Sequence, residues 1–167
     1  MSDFKMTVRN SGPLRAVVPA LLAGALLAPA CGNDNPTIPD VTRAALQVTV
    51  EPNPVTGTQD PLTLSVSAAF KITITETNGL GGEVQFVSAS VFEPATGRQV
   101  ALSYYDSTDL VVYQGSKRIE PLGQIVLQQS TSYTLSDFSK PAELVVTVQL
   151  KDDRTNLIYT SLLVKIE

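Results

Sequence analysis

The sequence predicts an all-β fold: an antiparallel β-sandwich of about seven to eight strands, following a cleavable signal segment. Three observations predict it. From Ala44 onward apolar residues recur with period 2 rather than 3.6. Clusters of Gly, Pro, Asn and Asp interrupt that alternation roughly every 8–15 residues. After the leader no stretch has a helical period, and no internal repeat is visible, so the body reads as one domain.

Composition removes several function classes. The chain has 167 residues, with 12 Lys and Arg against 16 Asp and Glu, a net charge of −4. The leader holds Lys5, Arg9 and Arg15 against Asp3, which leaves the rest at −6. An acidic body without a basic cluster argues against nucleic acid as a partner. There is no His, which excludes imidazole chemistry and His-ligated metals. A single Cys excludes an intrachain disulfide and a Cys-cluster site.

Residues 1–30 are expected to be a signal peptide. Three basic residues precede the uncharged run AVVPALLAGALLAPA over 16–30, and small residues stand before Cys31. That run is shorter than the roughly 20 residues a membrane span needs. The segment Leu27-Ala28-Pro29-Ala30-Cys31 resembles a bacterial lipobox. The resemblance implies cleavage before Cys31 and attachment of a lipid to its thiol, with the membrane as a partner through that anchor. Gly32 rather than Asp follows the Cys, which in the same family implies sorting to the outer membrane. Ordinary signal cleavage is the alternative, because Ala28-Pro29-Ala30 also fits the small-x-small rule, and it implies a periplasmic or secreted protein. Residues 31–43, rich in Asn, Asp, Pro and Thr, are expected to be the attachment Cys and a flexible tether.

The sandwich is expected over 44–167. Leu46, Val48 and Val50 alternate with polar residues. Leu62, Leu64, Val66, Ala68, Phe70, Ile72 and Ile74 then line one face of a long strand. Asn78-Gly79-Leu80-Gly81-Gly82 is a turn. Val84–Phe92 and Val100–Tyr105 follow as strands around the turn at Pro94–Gly97, and Leu110–Tyr113 and Ile119–Leu127 are read as further short strands. Ala142, Leu144, Val146, Val148 and Leu150 alternate, Asp152–Asn156 turns the chain, and Ile158, Leu162, Val164 and Ile166 share the last face. A barrel is the competing closure.

Leu127-Gln128-Gln129-Ser130-Thr131-Ser132-Tyr133 resembles the tyrosine corner of fibronectin type III and other immunoglobulin-like domains, with Gln129 in place of the usual Pro. Residues 75–82 and the alternating strand after them are similar to immunoglobulin-like modules of bacterial envelope lipoproteins. The resemblance implies an immunoglobulin-like sandwich in which the Tyr133 hydroxyl bonds back to nearby backbone.

Candidate chemistry is sparse. Asp106-Ser107-Thr108-Asp109 offers oxygens to Ca²⁺, but reads more simply as a polar turn, as does Asp152–Asn156. A nucleophilic Ser lacks a His base, and the five Lys at 71, 117, 140, 151 and 165 fall on wet strand faces or in turns. Glu76 and Glu83 flank one glycine-rich turn and are expected to be surface charges. Tyr104, Tyr105 and Tyr113 cluster, and alternation places Tyr104 and Tyr105 on opposite faces. The expectation is therefore a non-enzymatic protein without catalytic residue, metal or cofactor. It would be lipidated at Cys31, with Tyr104, Tyr105, Asp106 and Asp109 as the binding candidates and an envelope protein as partner. The alternatives are a proteinase-inhibitor-like sandwich that inserts a loop near 76–83 or 104–109 into an enzyme, or a Ca²⁺- or glycan-binding module.

Overall fold

A computed structural model of the chain describes residues 40–167. The leader over 1–30, Cys31 and the tether as far as residue 39 lie outside the described residues. The strands are β1 (Leu46–Glu51), β2 (Gly57–Asp60), β3 (Ser65–Glu76), β4 (Gly82–Glu93), β5 (Arg98–Asp106), β6 (Arg118–Ile119), β7 (Gln124–Thr134), β8 (Ala142–Asp152) and β9 (Leu157–Ile166). One helix, α1 (Ser107–Gln114), joins β5 to β6.

The strands form two antiparallel sheets. The first is built on β3, which pairs with β7 along one edge; along the other it pairs with β1 at residues 71–76 and with β2 at residues 65–68. The second has the order β5-β4-β8-β9, with β6 beside the start of β4. The alternation read in the sequence is the cause. Val66, Ala68, Phe70, Ile72 and Ile74 face inward from β3, and Ala142, Leu144, Val146, Val148 and Leu150 face them from β8. Burying a side chain such as Leu144, which is fully buried, contributes about 2 kcal/mol. The antiparallel β-sandwich expected from the sequence is thus the observed fold, with nine strands among the described residues.

The flanks differ. Between β1 and β2 the chain leaves the first sheet at Pro52 and Pro54 and touches β9: Val55 donates to Lys165 O at 2.9 Å, and Glu167 donates to Val55 O at 2.8 Å. Gly57 makes the return possible, since a Cβ there would lie 2.9 Å from Val66 Cγ1 and 3.2 Å from Ile166 Cγ2. On the other flank β5 and β7 approach without a backbone ladder between them. At one pole Asp40 forms an ion pair with Arg154, and Arg43 donates to Leu157 O at 3.1 Å. The turns at 61–64, 94–97 and 135–141 lie at the other pole.

Four expectations need correction. Leu110–Tyr113 is helix, not strand: Asp106 and Asp109 form a capping box at the start of α1, and Gly115, at φ 75°, closes its end. The β-branched run Val111-Val112 imitates a strand, but two complete caps and the full burial of Leu110 decide for the helix. Leu62 and Leu64 do not join the long inward face. Asp60 accepts from the Leu62 amide at 2.9 Å and the Thr63 hydroxyl at 2.8 Å, Leu64 takes φ 54°, and both leucines are exposed. Ile119–Leu127 is two strands in different sheets, split at Pro121-Leu122-Gly123. Residues 127–133 run straight inside β7, so no tyrosine corner forms; Tyr133 is buried, and its hydroxyl makes no hydrogen bond among the described residues.

Candidate functional site

The acidic segment between β5 and α1 is a structural cap. Asp106 Oδ1 accepts from the amides of Thr108 at 2.7 Å and Asp109 at 3.0 Å, while Asp109 Oδ2 accepts from the amide of Asp106 at 3.2 Å. These donors, the Asp109 amide first, hold the Asp106 carboxyl below its ordinary range. One oxygen of each carboxylate is engaged in the cap, and among the described residues no group of three His, Cys, Asp or Glu side chains gathers to hold a metal. The polar-turn reading of this segment is corrected to a helix N-terminus.

Tyr104 and Tyr105 do point to opposite faces. Tyr104 stacks on Phe86, with ring centroids 5.6 Å apart and planes at 25°, on the outer face of the second sheet. That face carries Leu102 and Tyr104 from β5, Phe86 and Phe92 from β4, Val145 from β8, and Tyr159 and Leu163 from β9. Four of these are more than half exposed: Leu102, Tyr104, Tyr159 and Leu163. Between the apolar residues lie Ser88, Thr147 and Ser161, the last two 3.0 Å apart, and Gln149 donates to the Tyr159 hydroxyl. Charges come at its margins: Glu143 beside Lys165 at one end, Glu83 beside Lys151 at the other, and Asp106 opposite Phe86.

Tyr105 turns inward to the β5–β7 flank. Its ring meets Tyr113 of α1 edge-on, at 6.0 Å and 86°. Gln114 of α1 and Leu127, Gln128 and Gln129 of β7 complete a cleft of about 200 Å³ around the two rings. Gln129 occupies an inward position opposite Phe70, is 8% exposed, and its amide has no hydrogen-bond partner among the described residues. No charged side chain lines the cleft. Tyr105 was legible as a candidate; Gln129 was not, because it was absorbed into the supposed tyrosine corner. The signal was a glutamine following Ile125 and Leu127 on the inward phase of the strand.

Three further buried groups went unread, and each organises a turn. Glu76, expected at the surface beside Glu83, is fully buried, whereas Glu83 stays outside and pairs with Lys117 at 3.0 Å. Glu76 accepts from the amides of Ala45, Asn78, Gly79 and Leu122 at 2.8–3.2 Å. Burial pushes its pKa up, but these four donors outweigh burial and the net direction is down. The Asp152–Asn156 segment is the expected hairpin turn, with Asp152 buried beneath it. Its carboxylate accepts from the amides of Ala44, Arg154 and Asn156 and from the Asn156 side chain, at 2.8–3.2 Å, and is likewise held low against burial. Glu93 accepts from the Ser136 hydroxyl and amide and from the Thr96 hydroxyl, and these hold its pKa down to about 2. By fixing Ser136 it sets the β7–β8 loop, which walls a groove of about 350 Å³ with Tyr133, Leu135 and Phe138 at the pole away from Asp40.

No protein-family model matches the chain, and no curated protein does. Solved structures with a similar fold are found. A Northeast Structural Genomics Consortium target, SoR45, superposes with a TM-score of 0.52 at 10% identity, covering 72% of this chain and 86% of its own. The crystal structure named for the ApaA protein of Bordetella pertussis gives a TM-score of 0.51 at 14% identity, covering 75% and 97%. At such identities these likenesses show the two-sheet sandwich alone.

Proposed function

We propose that this chain is an exported bacterial envelope protein, anchored by a lipid on Cys31, whose sandwich is a non-catalytic interaction module. Its docking surface is the outer face of the second sheet, and its partner is an envelope protein. The observation that carries the reading is the run of exposed apolar side chains around Phe86, Tyr104, Tyr159 and Leu163, on a sheet whose opposite face already fills the core. Contiguous exposed apolar area on a soluble face marks an interaction site, and the absence of charge from its centre favours a desolvated protein contact. The export and anchoring half rests on the basic leader, the apolar run and Leu27–Cys31.

A glycan-binding reading of the same face has one specific observation behind it: exposed Tyr104 and Tyr159 interleaved with Ser and Thr hydroxyls. The inhibitor reading has none, because Thr77 is bonded to Ala45, Asn78 and Gly79 are tied to the Glu76 carboxylate, and residues 106–109 are a helix cap rather than a projecting loop.

Two measurements test the proposal. Intact-mass analysis of the native protein should show a lipid-sized addition that Cys31→Ser removes together with membrane association; an unmodified, soluble wild type rejects the anchor. Crosslinking in intact envelopes should yield a protein adduct that Tyr104→Asp abolishes while the variant keeps its Tm. An adduct indifferent to Tyr104→Asp rejects the face, and capture of polysaccharide instead selects the glycan reading.

A further inference from the structure

The β5–β7 flank holds an arrangement that core packing does not explain. Gln129 faces inward from β7, nine-tenths buried, between Leu127 and the half-buried Thr131 on a face that also carries Ile125 and Tyr133. An amide shut away from water without a partner is destabilising. Every side-chain nitrogen or oxygen that is fully sealed from solvent in the described residues has a partner. The unpartnered Gln129 amide is therefore not sealed; it faces the cleft. The cleft wall pairs that amide with two tyrosine rings at right angles, Tyr105 half-buried and Tyr113 exposed, and with the amides of Gln114 and Gln128.

We propose that this cleft is a binding site for a single neutral pyranose unit, with Gln129 hydrogen-bonding its hydroxyls and Tyr105 and Tyr113 packing against its C–H faces. Each element of the site matches that chemistry. A primary amide supplies two donors and one acceptor, the mixture that vicinal hydroxyls satisfy. Aromatic rings present an apolar surface with a polar tip to a ligand that is itself part apolar and part hydroxylated. The uncharged wall disfavours phosphate or carboxylate ligands, which need a cation or several converging N–H groups. About 200 Å³ admits one ring, not a chain lying lengthwise. The site uses none of the outer-face residues around Tyr104 and stands apart from the protein-docking proposal.

The test is an NMR titration of the full chain with four methyl pyranosides: gluco-, galacto-, manno- and N-acetylglucosaminide. At least one should shift the Gln129 side-chain amide and the Tyr113 ring saturably. Gln129→Leu should weaken that sugar roughly threefold or more. Tyr113→Ala, at an exposed helix position that leaves the core intact, should do the same. Tyr104→Ala should leave the titration unchanged. The proposal is overturned if none of the four sugars gives a saturable shift at Gln129, if Gln129→Leu binds as the wild type does, or if Tyr104→Ala rather than Tyr113→Ala removes binding, which would move the ligand to the outer sheet face.

Discussion

Polar groups enter the interior of this sandwich at both poles and on the β5–β7 flank, and the flank is treated in the opposite way to the poles. At the pole where Asp40 docks, Glu76 and Asp152 are buried charges, yet each accepts four hydrogen bonds from turn amides and neighbouring side chains. At the β5–β7 flank, Gln129 is a neutral amide with no hydrogen-bond partner among the described residues. The first arrangement is saturated and can only hold turns in place. The second is unsaturated and has capacity left for something outside the chain. Saturation, rather than burial or charge alone, separates a polar group that specifies the fold from one that offers recognition.

Substitutions break this contrast in a graded way. Glu76→Ala strands four part-buried amide donors from three segments and should lower stability by about 2 kcal/mol in urea unfolding. A loss below about 1 kcal/mol would show that water replaces the carboxylate and that the saturated site is not structural. Acid provides a second handle. Glu76, Glu93 and Asp152 all titrate below their ordinary 4.5, 4.5 and 3.8 in the folded state. Each therefore stabilises the fold above its ordinary pKa and loses that contribution as pH falls through its folded value, for Glu93 about 2. Thermal scans should show Tm falling steadily from pH 5 towards pH 2, and Glu93→Gln should flatten the lower part of that decline. A Tm independent of pH over this window would contradict the assignment.

Gln129→Leu is expected to act in the other direction, raising stability by about 1 kcal/mol because it removes an unpaired amide from an apolar strand face. Destabilisation comparable to Glu76→Ala would mean that Gln129 has a structural partner and that the contrast is false. Tyr104→Ala, on the outer face of the second sheet, should change stability by less than about 0.5 kcal/mol while removing the crosslinked envelope partner.

The sequence carried the frame of the fold and little of its polar interior. Alternation in Val66–Ile74 and Ala142–Leu150 is a local signal, and it located the two central strands correctly. Helix α1 escaped because Val111, Val112 and Tyr113 are strand-favouring residues; Asp106 with Asp109 three positions later, and then Gly115, were the decisive marks. Leu62 and Leu64 continued the alternation beyond the strand, because periodicity does not report where Asp60 turns the chain. Of the site candidates, Asp106 and Asp109 proved to be each other's caps, Tyr104 lies on the outer face and Tyr105 lies in the cleft. Glu76, Glu93 and Asp152 were illegible for a common reason: each also needs partners from other segments, up to 108 residues away for Asp152 and Ala44, before its burial makes sense.

The clip between Asp40 and Arg154 has a geometric consequence. It gathers the start of the described chain at one end of the two-sheet sandwich. Strand β8 has 11 residues, which at about 3.3 Å per residue separates that end from the Phe138 groove by roughly 35 Å.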